Sequence, residues 1–189
     1  MGFRISWLAV EGLEKPEKLD QLGLCDTGKP DPHNEAPFSA AALPTGWSVL
    51  WANDERYVTA ERAARLSARA QVLAVTVDET CMHCHVRSFE NGSEPWRLWH
   101  EGDEVIDHLG RIGEPPPEAA IIKAEQRVLQ EAEGPGAEVD FLFDIPTRLA
   151  ERLCGFKHDA MVEGWQDRFT AAEPLGTARV GLLGRLFGR

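Results

Sequence analysis

The chain has 189 residues, of which 43% are hydrophobic, so its length fits one domain with a substantial core or one domain with a tail. Its formal net charge of −11 argues against nucleic-acid binding, which relies on a positive surface, and favours a soluble protein or one that meets a basic protein partner. No apolar run approaches the roughly 20 residues of a membrane-spanning helix, so we expect no membrane insertion.

The N-terminal segment lacks the pattern of a signal peptide. Arg4 and Ser6 interrupt its apolar run, and no small-residue cleavage site follows. A cytoplasmic location is therefore expected. In that reducing compartment we expect the four cysteines to be free thiols rather than disulfides.

The first half of the chain contains alternating or wholly apolar segments and short amphipathic ones. They predict strands at residues 3–10, 46–52 and 71–80, and helices at 15–24 and 59–70. Residues 25–44 are rich in Pro, Gly, Asp and Asn, which predicts a long loop. The strand at 71–80 is apolar on both faces from Val72 to Val75, so we expect it at the centre of a sheet.

The second half begins with a predicted β-hairpin at residues 81–101. Asn91-Gly92 is a strong turn signal, and Pro95 favours a bulge or a sheet edge. A helix, a strand and a last helix are predicted at residues 115–134, 139–145 and 145–156. The sequence predicts an α+β fold with helices packed on a mixed or mostly antiparallel sheet of five to six strands.

The composition changes after residue 159. We expect one α+β domain at 1–159 and a C-terminal tail at 160–189. Residues 176–189 are basic and apolar and contain no acidic residue, so they are the one segment with a weak tendency to touch a membrane surface. Packing on the domain or on a neighbour is the favoured interpretation of this segment.

The stretch CMHCH, formed by residues 81–85, matches the attachment motif of covalent haem. Covalent attachment requires both thiols at one porphyrin edge and export of the chain. On a strand, Cys81 and Cys84 point to opposite faces, and the chain shows no export signal. We therefore expect no haem.

A zinc-like metal site is the alternative interpretation of the same stretch. On a strand, Cys81, His83 and His85 share one face. If Asn91-Gly92 is a two-residue turn, His100 lies opposite His83, and a slip of two residues places it opposite His85. Two histidines with Cys81 or a carboxylate would suit zinc. The competing interpretation is a solvent-facing strand with ordinary polar residues, or a histidine packed against Trp96.

Two tryptophans of the hairpin are candidates for partner binding. Trp96 and Trp99 lie on opposite faces, so we expect one of them to be partly exposed and to anchor a protein partner.

We assign no catalytic residue. The sequence has no nucleophile elbow, P-loop or dinucleotide fingerprint, and a hydrolase built on His100 or His158 would lack a nucleophile.

The segments SWLAVEG, LGLCDTG, LPTGWSVLWAN, WRLWHEGD and, most distinctively, VDFLFDIPTRLAERLCGFKHD span most of residues 5–159. Together they resemble a group of uncharacterised bacterial proteins with a domain of unknown function. The resemblance implies a bacterial origin and a single domain that ends near Asp159. It implies no activity.

Some candidate residues follow the pattern of that group and others depart from it. His100, Lys157 and His158 match positions of the pattern. Cys81 and Cys84 stand where the group has a segment similar to E-E-H-V-M, so the cysteine pair is particular to this chain.

Two hypotheses of function follow. The first is a non-enzymatic cytoplasmic domain that binds a basic protein partner, by analogy with bacterial immunity proteins of similar size and charge. The second is a transition-metal protein that uses the hairpin. An enzymatic activity is the less favoured interpretation, and the sequence alone does not decide the oligomeric state.

Overall fold

The computed structural model describes residues 2–102, 108–134, 139–160 and 168–176. Nine strands within these ranges form one sheet. They are β1 (Arg4–Glu11), β2 (Leu24–Pro30), β3 (Phe38–Ala42), β4 (Trp47–Ala52), β5 (Val72–Asp78), β6 (His83–Glu90), β7 (Ser93–Glu101), β8 (Gly110–Gly113) and β9 (Thr170–Pro174). The helices are α1 (Lys15–Gln21), α2 (Ala60–Leu66), α3 (Glu118–Glu133) and α4 (Ile145–Cys154), with a 3₁₀ helix at Phe141–Asp144.

The strands follow the order β2-β9-β3-β4-β1-β5-β6-β7-β8, and every neighbouring pair is antiparallel. Strands β1, β4 and β5 lie in the interior of the sheet. Their residues are buried on both faces, which explains their nearly continuous apolar sequences.

Helices pack on both faces of the sheet. On the first face, which we call the α3/α4 face, Trp7, Val75 and Val86 pack against helices α3 and α4 and the 3₁₀ helix. On the second, the α1/α2 face, Leu8 and Ala74 pack against helix α2, while helix α1 covers strands β2 to β4. The sheet therefore has a hydrophobic core on each side.

The prediction of five to six strands is wrong, although helices still pack on a sheet as in an α+β fold. Residues 25–44, expected to form a loop, contain most of β2 and all of β3. The sheet also gains β8, a strand of four residues, and β9. These strands are short or polar, and β2, β3 and β9 each pair with a strand that is distant in sequence. They therefore lack the local pattern by which a buried strand is recognised.

The predicted strand at residues 139–145 is also wrong. Phe141–Asp144 forms a 3₁₀ helix, in which the consecutive residues Leu142 and Phe143 are both buried. Asp140 directs this conformation, because its Oδ1 accepts hydrogen bonds from the backbone N–H groups of Leu142 and Phe143 at 3.0 and 3.3 Å. The cap diverts the chain from an extended path into α4.

The segment assigned to a C-terminal tail contributes to the sheet. Strand β9 lies between β2 and β3 and pairs with both. The sheet therefore extends past residue 159, the predicted end of the domain. Of the basic apolar end at 176–189, all but Gly176 lies outside the described residues. None of the helices in the described ranges is long and apolar enough to cross a membrane.

Candidate functional site

A β-bulge sets the register of the hairpin formed by β6 and β7. Next to the turn, Glu90 pairs with Ser93, but beyond Pro95 the pairing is Ser88 with Trp96. Strand β7 therefore carries one extra residue where Pro95, which cannot donate a ladder hydrogen bond, is accommodated. Of the two alternatives that Pro95 predicted, the structure has the bulge and not the sheet edge, because β7 pairs with both β6 and β8.

The extra residue reverses which side chains of β7 share a face with those of β6. His83 pairs with Glu101, Cys84 with His100, and His85 with Trp99. His100 consequently lies on the α3/α4 face, fully buried, whereas His83 and His85 lie on the α1/α2 face. The prediction that His100 shares a face with these two histidines is wrong, because a bulge shifts the register by an odd number of residues.

The two cysteines of the CMHCH stretch are separated in a different way from that expected. Cys81 is exposed in the turn before β6, and its thiol lies 3.9 Å from the backbone oxygen of Asp78. Cys84 is buried on the α3/α4 face, and burial raises the pKa of its thiol far above the ordinary value.

The predicted four-residue metal set of Cys81, His83, His85 and His100 is therefore not assembled. Within the described ranges, no three His, Cys, Asp or Glu side chains are grouped so that they could hold a metal ion. Only His83 and His85 remain together.

A solvent-open part of the α1/α2 face brings several of the predicted residues together. It lies over β6, β7 and β8, beside the region that helices α1 and α2 cover, and it forms an open cavity of about 460 Å³. We call it the hairpin face. Its residues are His83, His85, Arg87, Arg97, Trp99, Glu101 and Ile112.

Trp99 is the central aromatic residue of the hairpin face. It is half-buried and pairs with Gly110 on β8, and a Cβ atom at Gly110 would lie only 2.2 Å from Cε2 of the indole. The ring therefore lies directly on the backbone of Gly110. The guanidinium carbon of Arg97 lies 5.7 Å from an indole ring centroid, within the range of a cation–π contact. These neighbours hold Trp99 in one orientation.

The other predicted anchor, Trp96, lies on the opposite face. It is 8% exposed and belongs to the core beneath α3 and α4. It is therefore not accessible to a partner at this surface. Among the described residues of the hairpin face, Ile112 supplies the largest exposed apolar side chain, at 50% exposure.

The two arginines of the hairpin face are paired with Glu94, a residue of β7 outside that set. Arg87 donates through Nε to Glu94 at 2.9 Å and makes a second contact through Nη2, and Arg97 Nε lies 3.7 Å from the same carboxylate. At the other end, His83 Nδ1 lies 4.0 Å from Glu101 Oε1. The side chains of Arg87 and Arg97 are thereby held in place by Glu94 rather than left free in water.

The imidazoles of His83 and His85 face each other. His83 Nε2 lies 3.2 Å from His85 Nδ1, and the two rings are nearly perpendicular, at 89°. Burial lowers the pKa of His85 to about 4, and the neighbouring His83 and Arg87 act in the same direction. His85 is therefore neutral at physiological pH.

A second polar cluster on the α3/α4 face contains the buried side chains of His100 and Lys157. His100 Nε2 lies 2.8 Å from Asp140 Oδ2, and its Nδ1 contacts the backbone oxygen of His108 at 2.7 Å. Lys157 donates to Asp159 at 2.7 Å and to Asp144 at 3.4 Å. The Lys157–Asp144 pair joins the start of α4 to the segment that follows α4, and the His100–Asp140 contact joins β7 to the start of the 3₁₀ helix, so these contacts support a structural role for His100 and Lys157.

His158 belongs to the same region and is also buried. Its ring nitrogens lie 3.8 Å from Glu79 and 3.8 Å from Asp159, and its ring packs edge-on against Phe3. Burial lowers the pKa of His158, although Asp159 acts in the opposite direction. The side chains of Lys157 and His158 therefore both make buried contacts beside the end of α4.

Sequence reasoning missed Lys18. Its side chain is fully buried on α1, and within the described residues its amino nitrogen has no hydrogen-bond partner. Burial lowers the pKa of Lys18 well below the ordinary value, and the nearby Lys15 acts in the same direction. Nothing in the local sequence distinguishes Lys18 from an exposed lysine.

Comparison of the chain with protein-family models, with curated proteins and with solved structures finds no match.

Proposed function

We propose that this protein is a non-enzymatic cytoplasmic binding domain that docks a protein partner through the hairpin face. The orientation of Trp99 carries this proposal. A half-buried tryptophan held against Gly110, beside Arg97, combines two of the three residue types that dominate the binding energy of protein interfaces. Because its orientation is already set, docking costs little side-chain entropy.

The surroundings of Trp99 support the same function. Ile112 is half exposed beside it, and charged side chains form the border of the cavity. An apolar centre with a polar border is the usual composition of a protein interface. Arg87 and Arg97 contact the carboxylate of Glu94, so each keeps an oppositely charged neighbour when docking excludes water.

The net charge indicates the class of partner. At −11 the chain attracts basic proteins at long range, which raises the rate of association with them. A basic toxin neutralised by an immunity-like protein belongs to this class. Association with such a partner should slow as the salt concentration rises.

Replacing Trp99 by alanine is expected to weaken the complex with the partner by roughly 10- to 30-fold, because the variant loses the central aromatic anchor. Gly110→Val should weaken it as well, since a side chain at this position displaces the indole while the tryptophan is retained. Affinities are measured by surface plasmon resonance with the partner that the wild-type chain captures from the native organism.

Val128→Ala is the matched control. Val128 is 65% exposed on helix α3, on the other side of the sheet, so its truncation should leave the affinity unchanged. If Trp99→Ala binds as tightly as the wild-type chain, or weakens binding no more than Val128→Ala does, the hairpin face is not the docking site. If the wild-type chain captures no specific partner, the proposed function itself is wrong.

A further inference from the structure

We infer that His83 and His85 together bind one divalent transition-metal ion of the zinc type on the hairpin face, with water completing the coordination. The inference is independent of protein docking: a partner could bind without the metal, and the metal could bind without a partner.

The separation of the two ring nitrogens carries the inference. Two imidazole nitrogens that bind one zinc ion at about 2.0–2.1 Å with tetrahedral angles lie about 3.3 Å apart. His83 Nε2 and His85 Nδ1 are 3.2 Å apart. The spacing therefore matches that of two ligands of one ion. In the free protein the same two nitrogens are at hydrogen-bond distance from each other, so the rings turn until both lone pairs point at the ion.

Strand geometry keeps the pair in place. His83 and His85 are two residues apart on β6, so they project from the same face, and β6 is paired on both sides, with β5 and with β7. A site on a strand in the interior of a sheet holds its ligands more rigidly than a site on a loop. Little conformational entropy is lost when the ion binds.

Glu101 provides the support that metal-binding histidines usually have. Its Oε1 lies 4.0 Å from Nδ1 of His83, the ring nitrogen that faces away from His85. A small side-chain movement allows Nδ1–H to donate to this carboxylate, which leaves the lone pair of Nε2 free for the ion. Nε2 of His83 and Nδ1 of His85 then both offer a lone pair to the ion.

The site is open and has only two protein ligands. The cavity in front of the histidines leaves room for two water molecules on the ion. With half the protein ligands of a structural zinc site, the site is expected to bind zinc more weakly than such sites do.

Titration of the full chain, purified without an affinity tag, with Zn²⁺ in a calorimeter at pH 7 tests the inference. We expect one ion per chain at this site. The His83→Asn and His85→Gln variants should each lose at least about tenfold in affinity, because each removes a ligand. His83 is 32% exposed, so its replacement should leave the fold intact, which circular dichroism verifies.

Two matched controls separate this site from other zinc-binding groups. His33→Ala removes an exposed loop histidine, and Cys81→Ser removes the exposed thiol nearest to the pair. Both controls should retain the wild-type affinity. In long-range ¹H–¹⁵N spectra of the histidine rings, Zn²⁺ should shift Nε2 of His83 and Nδ1 of His85.

Absence of zinc binding by the wild-type chain would overturn the inference. An affinity that neither His83→Asn nor His85→Gln reduces would overturn it too, as would a loss in the Cys81→Ser control equal to theirs.

Discussion

Replacing Asp140 by alanine is expected to lower the free energy of unfolding by about 2 to 4 kcal/mol. The variant loses two interactions at once. The fully buried His100 loses the carboxylate oxygen that lies 2.8 Å from its Nε2, and the 3₁₀ helix loses the cap on the N–H groups of Leu142 and Phe143. A buried polar atom without its partner costs more than an exposed one, because water cannot replace that partner.

Asp140→Asn separates the two contributions. The amide oxygen still accepts the two backbone hydrogen bonds, whereas the negative charge beside His100 is gone. The loss should fall between zero and that of Asp140→Ala. Asp20→Ala, which removes an exposed carboxylate on α1, is the control and should change stability by less than about 0.5 kcal/mol. Urea unfolding at pH 7 measures the free energy of unfolding of all three variants. An Asp140→Ala variant as stable as Asp20→Ala would contradict the stabilising role of Asp140.

Lys18→Met is expected to raise the free energy of unfolding by about 1 to 3 kcal/mol at pH 7. Lys18 is fully buried, and within the described residues its amino group has no hydrogen-bond partner. Methionine fills nearly the same volume with a flexible apolar chain, so it removes the cost of burying the amino group without leaving a cavity.

The pH dependence of stability gives Lys18 a distinct signature. Burial lowers its pKa in the folded chain well below the value of about 10.4 in the unfolded chain. Between these two values the unfolded chain binds more protons, so this group makes the wild-type protein more stable as the pH rises. The stability of Lys18→Met should lack this increase with pH. The difference in unfolding free energy between the variant and the wild-type chain should therefore shrink between pH 7 and pH 10.

Lys29→Met is the control for that comparison, because Lys29 is exposed on β2. Its unfolding free energy should follow the wild-type pH profile within about 0.5 kcal/mol. If Lys18→Met is less stable than the wild-type chain across the whole range, the amino group has a stabilising contact, and the assignment of Lys18 as an uncompensated buried group is wrong.

The helices and strands whose own sequences have a continuous or periodic apolar pattern could be predicted. Strands β1, β4 and β5, the β6–β7 hairpin and the four helices are all found near the predicted residues. Each has a pattern that a single segment contains in full. The strands that were missed, β2, β3, β8 and β9, are short or polar, and three of them pair with a strand that is distant in sequence. Their existence depends on those partners.

In the candidate site, too, features with a local sequence signal could be predicted, whereas features set by strand pairing could not. The bulge was predictable from Pro95, but its position in the ladder decides whether His100 joins His83 or lies on the other face. Because the bulge adds one residue to β7, His100 lies in the core and not beside His83. The packing of Trp99 on Gly110 depends on the pairing of β7 with β8, for which residues 93–113 contain no clear local signal.

Because β9 lies near the end of the sequence, the sheet can be completed only late in synthesis. Strand β2 has β9 as its one neighbour in the described sheet, and β9 begins 140 residues after Pro30, the last residue of β2. A ribosome that adds about 5 to 20 residues per second needs on the order of 10 s to cover this distance. A nascent chain halted before Thr170 would already hold the contiguous strands from β3 to β8. During this interval β2 is an unpaired strand beside the open edge of β3, and chaperones that bind extended segments would have their main opportunity there.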